Sequence, residues 1–306
     1  MSTYRSTFAS GLALACLAWA GNVHAQACCA GAGAVTPGRL TPHELVLVGL
    51  QSKSSVAFGS FDSRATYGAN APGSGETDLE QDLFGAVRIL KRGQLSLLVP
   101  MVETWRTTRT TGGELGGGLG DINLSGRADF VVAGESRYVP GIALLAGLTI
   151  PSGRPPDQAT HALATDATGV GAWQGNFGLA VEQNFGHWLV NLTGLVAFRS
   201  ARTVGTVSEV LGVQLTALGA LGYSFQKDSA IALLVSYTGE GDATINGASE
   251  SWTSRQLLRI SVSGVYPFSD TWRLQGGLFF DPPIDWLGRN NSASMGLTLS
   301  IIKSWT

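Results

Sequence analysis

The chain has 306 residues, 41 of them glycine, with 14% charged and a net charge of −2. So even a charge balance excludes the basic face that nucleic-acid binding requires, and low charge with abundant glycine describes many turns rather than exposed helices. After the first 25 residues no uninterrupted apolar run reaches the roughly 18 residues of a transmembrane helix, so a membrane-spanning chain of this kind has to be a β-barrel.

The N-terminus reads as a secretory signal over residues 1–25: Arg5 supplies the positive start, residues 12–20 the apolar centre, and Val23-His24-Ala25 a small-residue cleavage site. The mature chain then begins at Gln26. Residues 26–42, small and polar with Pro37 and Pro42, are expected to form a flexible periplasmic lead-in. Cys28 and Cys29 within it are adjacent, so a strained vicinal disulfide, a link between chains and two free thiols all stay open. Two thiols alone do not make a metal site.

Residues 43–306 divide into about twelve strands. The first, 44–58, has a blunted pattern because Leu45, Val46, Leu47 and Val48 are all apolar. After a loop at 63–76 the second, 79–90, sets Leu83, Gly85, Val87 and Ile89 against Glu80, Asp82 and Arg88. The third, 94–106, leaves its facing open and loses one ladder donor at Pro100.

Glycines at 112, 113, 116, 117, 118 and 120 read as a flexible loop; no Lys-Ser/Thr pair follows to make it a phosphate cradle. The clearest alternation comes next, with Asp121, Asn123, Ser125, Arg127 and Asp129 on one face and Ile122, Leu124, Gly126, Ala128 and Phe130 on the other. Its return strand is 141–150, and the longest loop is 152–171.

Further strands are expected at 172–185, 188–199, 210–225, 230–238 and 255–268. An eleventh carries Trp272, Leu274, Leu278 and Phe280 against Arg273, Gln275 and Asp281, and a last one Met295, Leu297, Leu299 and Ile301 against Ser294, Thr298 and Ser300. In a soluble sandwich the apolar faces would form a core; in a membrane barrel they meet lipid.

The connections decide for the barrel, because six longer loops alternate with five generally shorter turns, the pattern of an up-and-down antiparallel transmembrane β-barrel with long extracellular loops. Aromatics flank the strand ends, at Phe185, Trp188, Tyr223, Phe225, Tyr266, Phe268, Trp272 and Trp305 beside the turns and at Trp105, Trp173, Phe198, Tyr237 and Phe280 beside the loops. They are expected to form the two interfacial girdles.

Three short motifs, Gly118-Leu119-Gly120-Asp121 entering a strand, Ile150-Pro151-Ser152-Gly153 closing the next and Gly171-Ala172-Trp173 opening the one after, resemble outer-membrane transporters of the meta-pathway of phenol degradation type. With the strand rhythm the resemblance covers most of the mature chain. It implies a Gram-negative outer-membrane barrel with an uptake role for small hydrophobic or aromatic compounds. The implied partners are the lipid bilayer, a small-molecule solute and the barrel-assembly machinery that reads the C-terminal aromatic; here Thr306 follows Trp305, a departure from that pattern.

Enzymatic chemistry is not expected. His43, His161 and His187 fall in the lead-in, a loop and a turn, and none stands beside a nucleophile and an acid. Glu240, Asp242, Asn246 and Glu250 miss the alternate spacing of a calcium loop and read as a solvated acidic stretch. No cofactor or metal is implied.

The candidate functional residues are therefore the polar side chains that alternation turns into the lumen: Arg88, Asp121, Asn123, Arg127, Asp129, Asn176, Glu182, Asn191, Arg199, Gln214, Arg255, Arg259, Arg273 and Asp281. Glu80 and Asp82 face the same way. Such charges either pair into a lattice that stiffens the lumen or line a path and set selectivity. Strands eight and nine, with Leu218, Ala220, Ala232 and Leu234 inside, are less polar, which suits an amphipathic solute. A non-conducting barrel displaying loops 152–171 and 239–252 is the alternative, and a barrel lipid hydrolase a weaker third.

Overall fold

The computed structural model describes residues 39–306 apart from 137 and 226–228. The expected signal peptide, most of the lead-in and Cys28 and Cys29 lie outside the described residues. Twelve antiparallel strands close into a barrel: β1 (Val46–Phe61), β2 (Gly75–Leu90), β3 (Gly93–Thr108), β4 (Gly112–Leu119 and Ile122–Val131), β5 (Gly141–Ile150), β6 (Gln174–Phe185), β7 (Trp188–Arg199), β8 (Gln214–Ser224), β9 (Ala230–Glu240), β10 (Arg255–Pro267), β11 (Trp272–Phe280) and β12 (Asn291–Trp305). Each strand pairs with its sequence neighbour, and β1 closes on β12 from Val46 opposite Trp305 to Phe61 opposite Asn291. No helix among the described residues is long and apolar enough to cross a membrane.

Alternation explains which way each side chain goes. On β4, Leu124, Ala128 and Phe130 are exposed on the outside while Arg127 is buried within. The same holds around the wall, where Leu83, Leu97, Leu144, Leu179, Leu192, Leu221, Leu233 and Leu297 all stand outward. A continuous apolar exterior of this extent far exceeds the patch of a few hundred Å² that a soluble protein tolerates, so hydrocarbon is the medium it fits. Phe185, Trp188, Phe225, Tyr266, Phe268 and Trp305 are exposed at the turn end, and Trp105, Trp173, Phe198, Tyr237 and Phe280 at the loop end. These are the two girdles.

Several stretches depart from the sequence reading. The glycine run expected as a loop is strand: Gly112–Leu119 pairs with β3 from Thr108 opposite Gly112 to Met101 opposite Leu119. The connection between β3 and β4 is consequently a tight hairpin at 109–111 rather than a long loop. Beyond it the register slips by one residue at Gly120-Asp121, since Leu98 lies opposite Asn123. Pro100 accepts from the Gly120 N–H at 2.9 Å, so its missing donor falls on this bulged side, where no ladder bond is lost.

The apolar run at the start of β1 has a different cause. Leu47 points inward and packs with Leu40, Phe84, Ala86 and Ile302, an apolar floor at the turn end of the lumen. Gly49 lies beneath the Phe84 ring, where a Cβ would stand 2.3 Å from its tip. Of residues 39–42, assigned by sequence to the lead-in, Leu40 is buried in this floor while Pro42 is exposed.

Candidate functional site in the barrel lumen

The inward residues sort into layers. At the turn end Glu182, 1% exposed, takes both nitrogens of Arg39 at 2.7 Å, Arg127 at 3.2 Å and the Asn191 amide at 2.9 Å. Arg127 also meets Asp129 at 2.7 Å. Beside this knot Glu44 pairs with Arg273, and Arg88 donates to the carbonyl oxygens of Glu44 at 2.9 Å and Thr41 at 2.5 Å. The Leu40 N–H donates to Gln94 at 3.0 Å. Six strands and the entering chain are thus tied at one level, and Arg88, Arg127, Asp129, Glu182, Asn191 and Arg273 are all committed to it.

At the loop end a single guanidinium ties three strands. Arg199 donates to Gln174 at 2.7 Å, Glu240 at 2.5 Å and Gln214 at 3.1 Å. Above it four short strands, Arg202–Val204, Val207–Val210, Thr244–Ile245 and Ala248–Ser249, form a small separate sheet over this side of the mouth. Arg255 has no carboxylate partner among the described residues and lines a cavity of about 430 Å³ with Leu211, Ile245 and Trp252.

Between the two levels lies a cavity of about 510 Å³. One wall, from β10 round to β2, is polar, with Gln51, Lys53, Glu80, Asp82 and Arg259; Asn123 and Asn176 add polar groups farther round the barrel. Lys53 meets Glu80 at 2.7 Å. Arg259 grips Asp281 through two bonds of 2.7 and 2.9 Å and lies 4.2 Å over the Phe279 ring, so Asp281 is fully buried as its counter-ion. Facing it, on β5 and β7–β9, Leu145, Leu195, Leu218 and Leu234 stand with Thr216 and Ser236 among them, and Leu98 and Phe279 close the sides. A cavity of this size holds a small organic molecule, and its two walls ask for one with a polar and an apolar end.

Three sequence candidates, Asn123, Asn176 and Arg259, therefore line the central cavity. Asp121 does not serve the lumen in this way: it sits at the bulge and accepts from the N–H groups of Gly153 at 2.9 Å and Val170 at 2.7 Å, fastening the long loop. That loop is further held by Glu114, which accepts from Leu163 at 2.7 Å, and by Asp166, which takes the Thr160 hydroxyl at 2.7 Å, the Thr160 N–H at 2.9 Å and Arg154. The bonds from Thr160 hold the Asp166 carboxyl far below the ordinary carboxylate range.

Missed by the sequence reading were Glu76 and Asp78, placed in a loop because the second strand was begun at Leu79. Strand β2 starts at Gly75, so Glu76, Asp78, Glu80 and Asp82 stand on one inward face. Their acid-at-every-second-residue spacing was the available signal. Gln51 and Lys53 were hidden in the blunted first strand.

No family model matches the sequence, and none of the curated proteins does. Solved structures do match in fold. A Pseudomonas putida F1 outer-membrane channel superposes with a TM-score of 0.72 at 16% identity, over 87% of this chain and 97% of that one. The transport unit of the Escherichia coli autotransporter AIDA-I gives 0.45 at 7% identity, over 86% and 90%. The monoaromatic hydrocarbon channel CymD gives 0.36 at 12% identity, over 90% and 93%. The first likeness places the fold among outer-membrane β-barrels.

Proposed function

We propose that this protein is a passive outer-membrane channel for small amphipathic solutes, aromatic ones among them. The observation that carries the reading is the central cavity, in which a wall of Gln51, Lys53, Asp82 and Arg259 faces a wall of leucines. A filled structural barrel has no need of such a space, and a water-filled pore has no need of the leucines. A solute with one polar group satisfies both walls at once, where a sugar would leave the leucines uncovered and a pure hydrocarbon would strip water from the charges without replacing it.

Charges in this reading have divided roles. The ion pairs at the two ends stiffen the wall, and Asn123, Asn176 and Arg259 orient the solute. At the turn end the Arg39–Leu40 segment stands in the path, so exit toward the periplasm requires it to shift. Assembly follows the usual route for such barrels, by the barrel-assembly machinery acting on the C-terminal strand, and no hydrolytic step forms part of this function.

The test is solute flux. Purified barrel in liposomes should pass phenol-sized alcohols faster than a sugar of equal volume. A folded barrel that passes neither, with folding verified by its heat-modifiable migration, would reject the channel.

A further inference from the structure

On the outside of the barrel one positive charge interrupts the apolar face. Lys303 of β12 stands between Ile301 and Trp305, both exposed, and among the described residues it is the only cation that any of the twelve strands directs outward. Its ammonium lies between two indole rings, 5.3 Å from the centre of Trp272 and 5.0 Å from that of Trp305. Trp272 is directly opposite Lys303 across the β11–β12 ladder, and Val48 is opposite it across the seam where β1 closes on β12.

Attraction to the ring faces positions the ammonium but supplies neither an oxygen acceptor nor a counter-charge. No carboxylate pairs with Lys303 among the described residues. On a surface in water that would need no partner. Here the side chain springs from a wall that meets hydrocarbon, so its charge has to end among the lipid headgroups. Tyr266, Phe268 and Trp305, exposed at the turn end, mark the level where they begin. The turn end faces the periplasm, and the periplasmic leaflet of an outer membrane is built of glycerophospholipid, whose phosphodiester is the anion at that depth.

We infer that Lys303, Trp272 and Trp305 form a binding site for one glycerophospholipid of the periplasmic leaflet, with the ammonium donating to a phosphodiester oxygen. The two indole N–H groups have no partner among the described residues and are left to donate to the headgroup. Toward the membrane centre Ile301 lies between Leu50 and Leu274, with Leu299 beyond it, and all four are exposed to receive the acyl chains. A phospholipid supplies both the acceptor with its negative charge and the apolar cover; a free phosphate ion supplies only the first. The bound lipid spans the seam of β1 and β12. Such a site is independent of what passes through the lumen.

Native mass spectrometry of the full-length mature protein in a non-ionic detergent reads the first bound lipid directly. Dioleoylphosphatidylglycerol carries the phosphodiester, and dioleoylglycerol has the same chains without it. The first should bind about fivefold more tightly, the effect of one lysine at an anionic lipid surface, and inorganic phosphate at equal concentration should not displace it. Lys303→Gln should bring the two lipids level, and Lys303→Arg should keep the preference. Lys91→Gln, which removes an exposed cation from the turn between β2 and β3, should leave it unchanged. A phosphatidylglycerol with a photoreactive headgroup should cross-link to residues 268–272 or 303–306, and this carries the test if Lys303→Gln does not fold.

Equal binding of the two lipids by the wild-type protein overturns the inference. So does a preference that survives Lys303→Gln, which would put the phosphate on another cation, and so do cross-links confined to other strands.

Discussion

Arg39 and Glu182 are 143 residues apart in sequence and meet through a two-pronged ion pair, Nη1 to Oε1 and Nη2 to Oε2, each at 2.7 Å. This pair fixes the entering chain across the turn end of the lumen, with Leu40 buried against the apolar floor. Arg39→Ala removes the fastening and leaves Glu182 with Arg127. The expected outcome is a rise in single-channel conductance and in its fluctuation, from a barrel that folds normally. Unchanged conductance would show that the floor and the bonds from Gln94 and Arg88 hold the segment without the ion pair.

Glu182 itself is the more costly residue to change. With 1% of its surface exposed it neutralises Arg39 and Arg127 together. Glu182→Gln keeps the shape but leaves a buried guanidinium charge uncompensated, which costs about 3–5 kcal/mol where one partner of a buried pair is removed. Urea unfolding in lipid vesicles should show that loss. A change within about 0.5 kcal/mol, the scale of an ordinary surface substitution, would mean that water reaches the pair.

Lipid contact on the outside is tested by Leu192→Arg. Leu192 is 59% exposed and sits mid-strand on β7, opposite Val181 and Gly219. Arginine at the bilayer midplane costs a barrel about 2–4 kcal/mol. The same vesicle unfolding assay measures it, and an arginine tolerated without loss there would place water, not hydrocarbon, against that face.

Much of this wall was legible in the sequence because its residues have side chains that report their facing. Trp188–Arg199 was bounded from its alternation alone and is found at those limits. The glycine run was not legible for the same reason: Gly112, Gly113, Gly116, Gly117 and Gly118 have no side chains to alternate, so a strand built of them carries no period. At Gly116 the need for glycine is tertiary. A Cβ on Gly116 would lie 2.5 Å from the Thr165 hydroxyl and 2.7 Å from that residue's backbone, because loop 152–171 folds directly onto the strand. In the site, inward facing was readable but partners were not, since Arg39 with Glu182 and Arg273 with Glu44 join residues far apart in the chain. The acidic face of β2 was cut in half by a strand start placed four residues late.

Gly116→Val follows from that contact. Because the clash includes Thr165 backbone and not only a mobile side chain, the loop must lift. Protease cleavage within 152–171 is expected to accelerate at least tenfold, on a barrel whose heat-modifiable migration is unchanged. Cleavage at the wild-type rate would mean that β4 yields instead.

The same loop carries a pH dependence whose sign is set by Asp166. Its carboxyl is held below the ordinary range, by the Thr160 bonds first, so the folded loop favours the ionised form. The stabilisation is complete above the unfolded carboxylate value of about 4 and is lost as pH falls below it toward the lower folded value. Hydrogen exchange at Thr160 and His161, whose N–H groups bond Asp166 at 2.9 and 3.2 Å, should stay slow from neutral pH to about 5 and quicken only in stronger acid. Loss of protection already near neutral pH would contradict the assignment to Asp166.

The central claim is that solute crosses through the cavity between the polar and leucine walls. Ser236 lies on the inward face of β9 in that cavity, and a background with Cys16→Ser, Cys28→Ser and Cys29→Ser carries no cysteine of its own. With Ser236→Cys placed in that background and the barrel in liposomes, a bulky methanethiosulfonate reagent should abolish amphipath flux while leaving the background protein unaffected. Full flux through a barrel shown by mass spectrometry to carry the label would contradict the account.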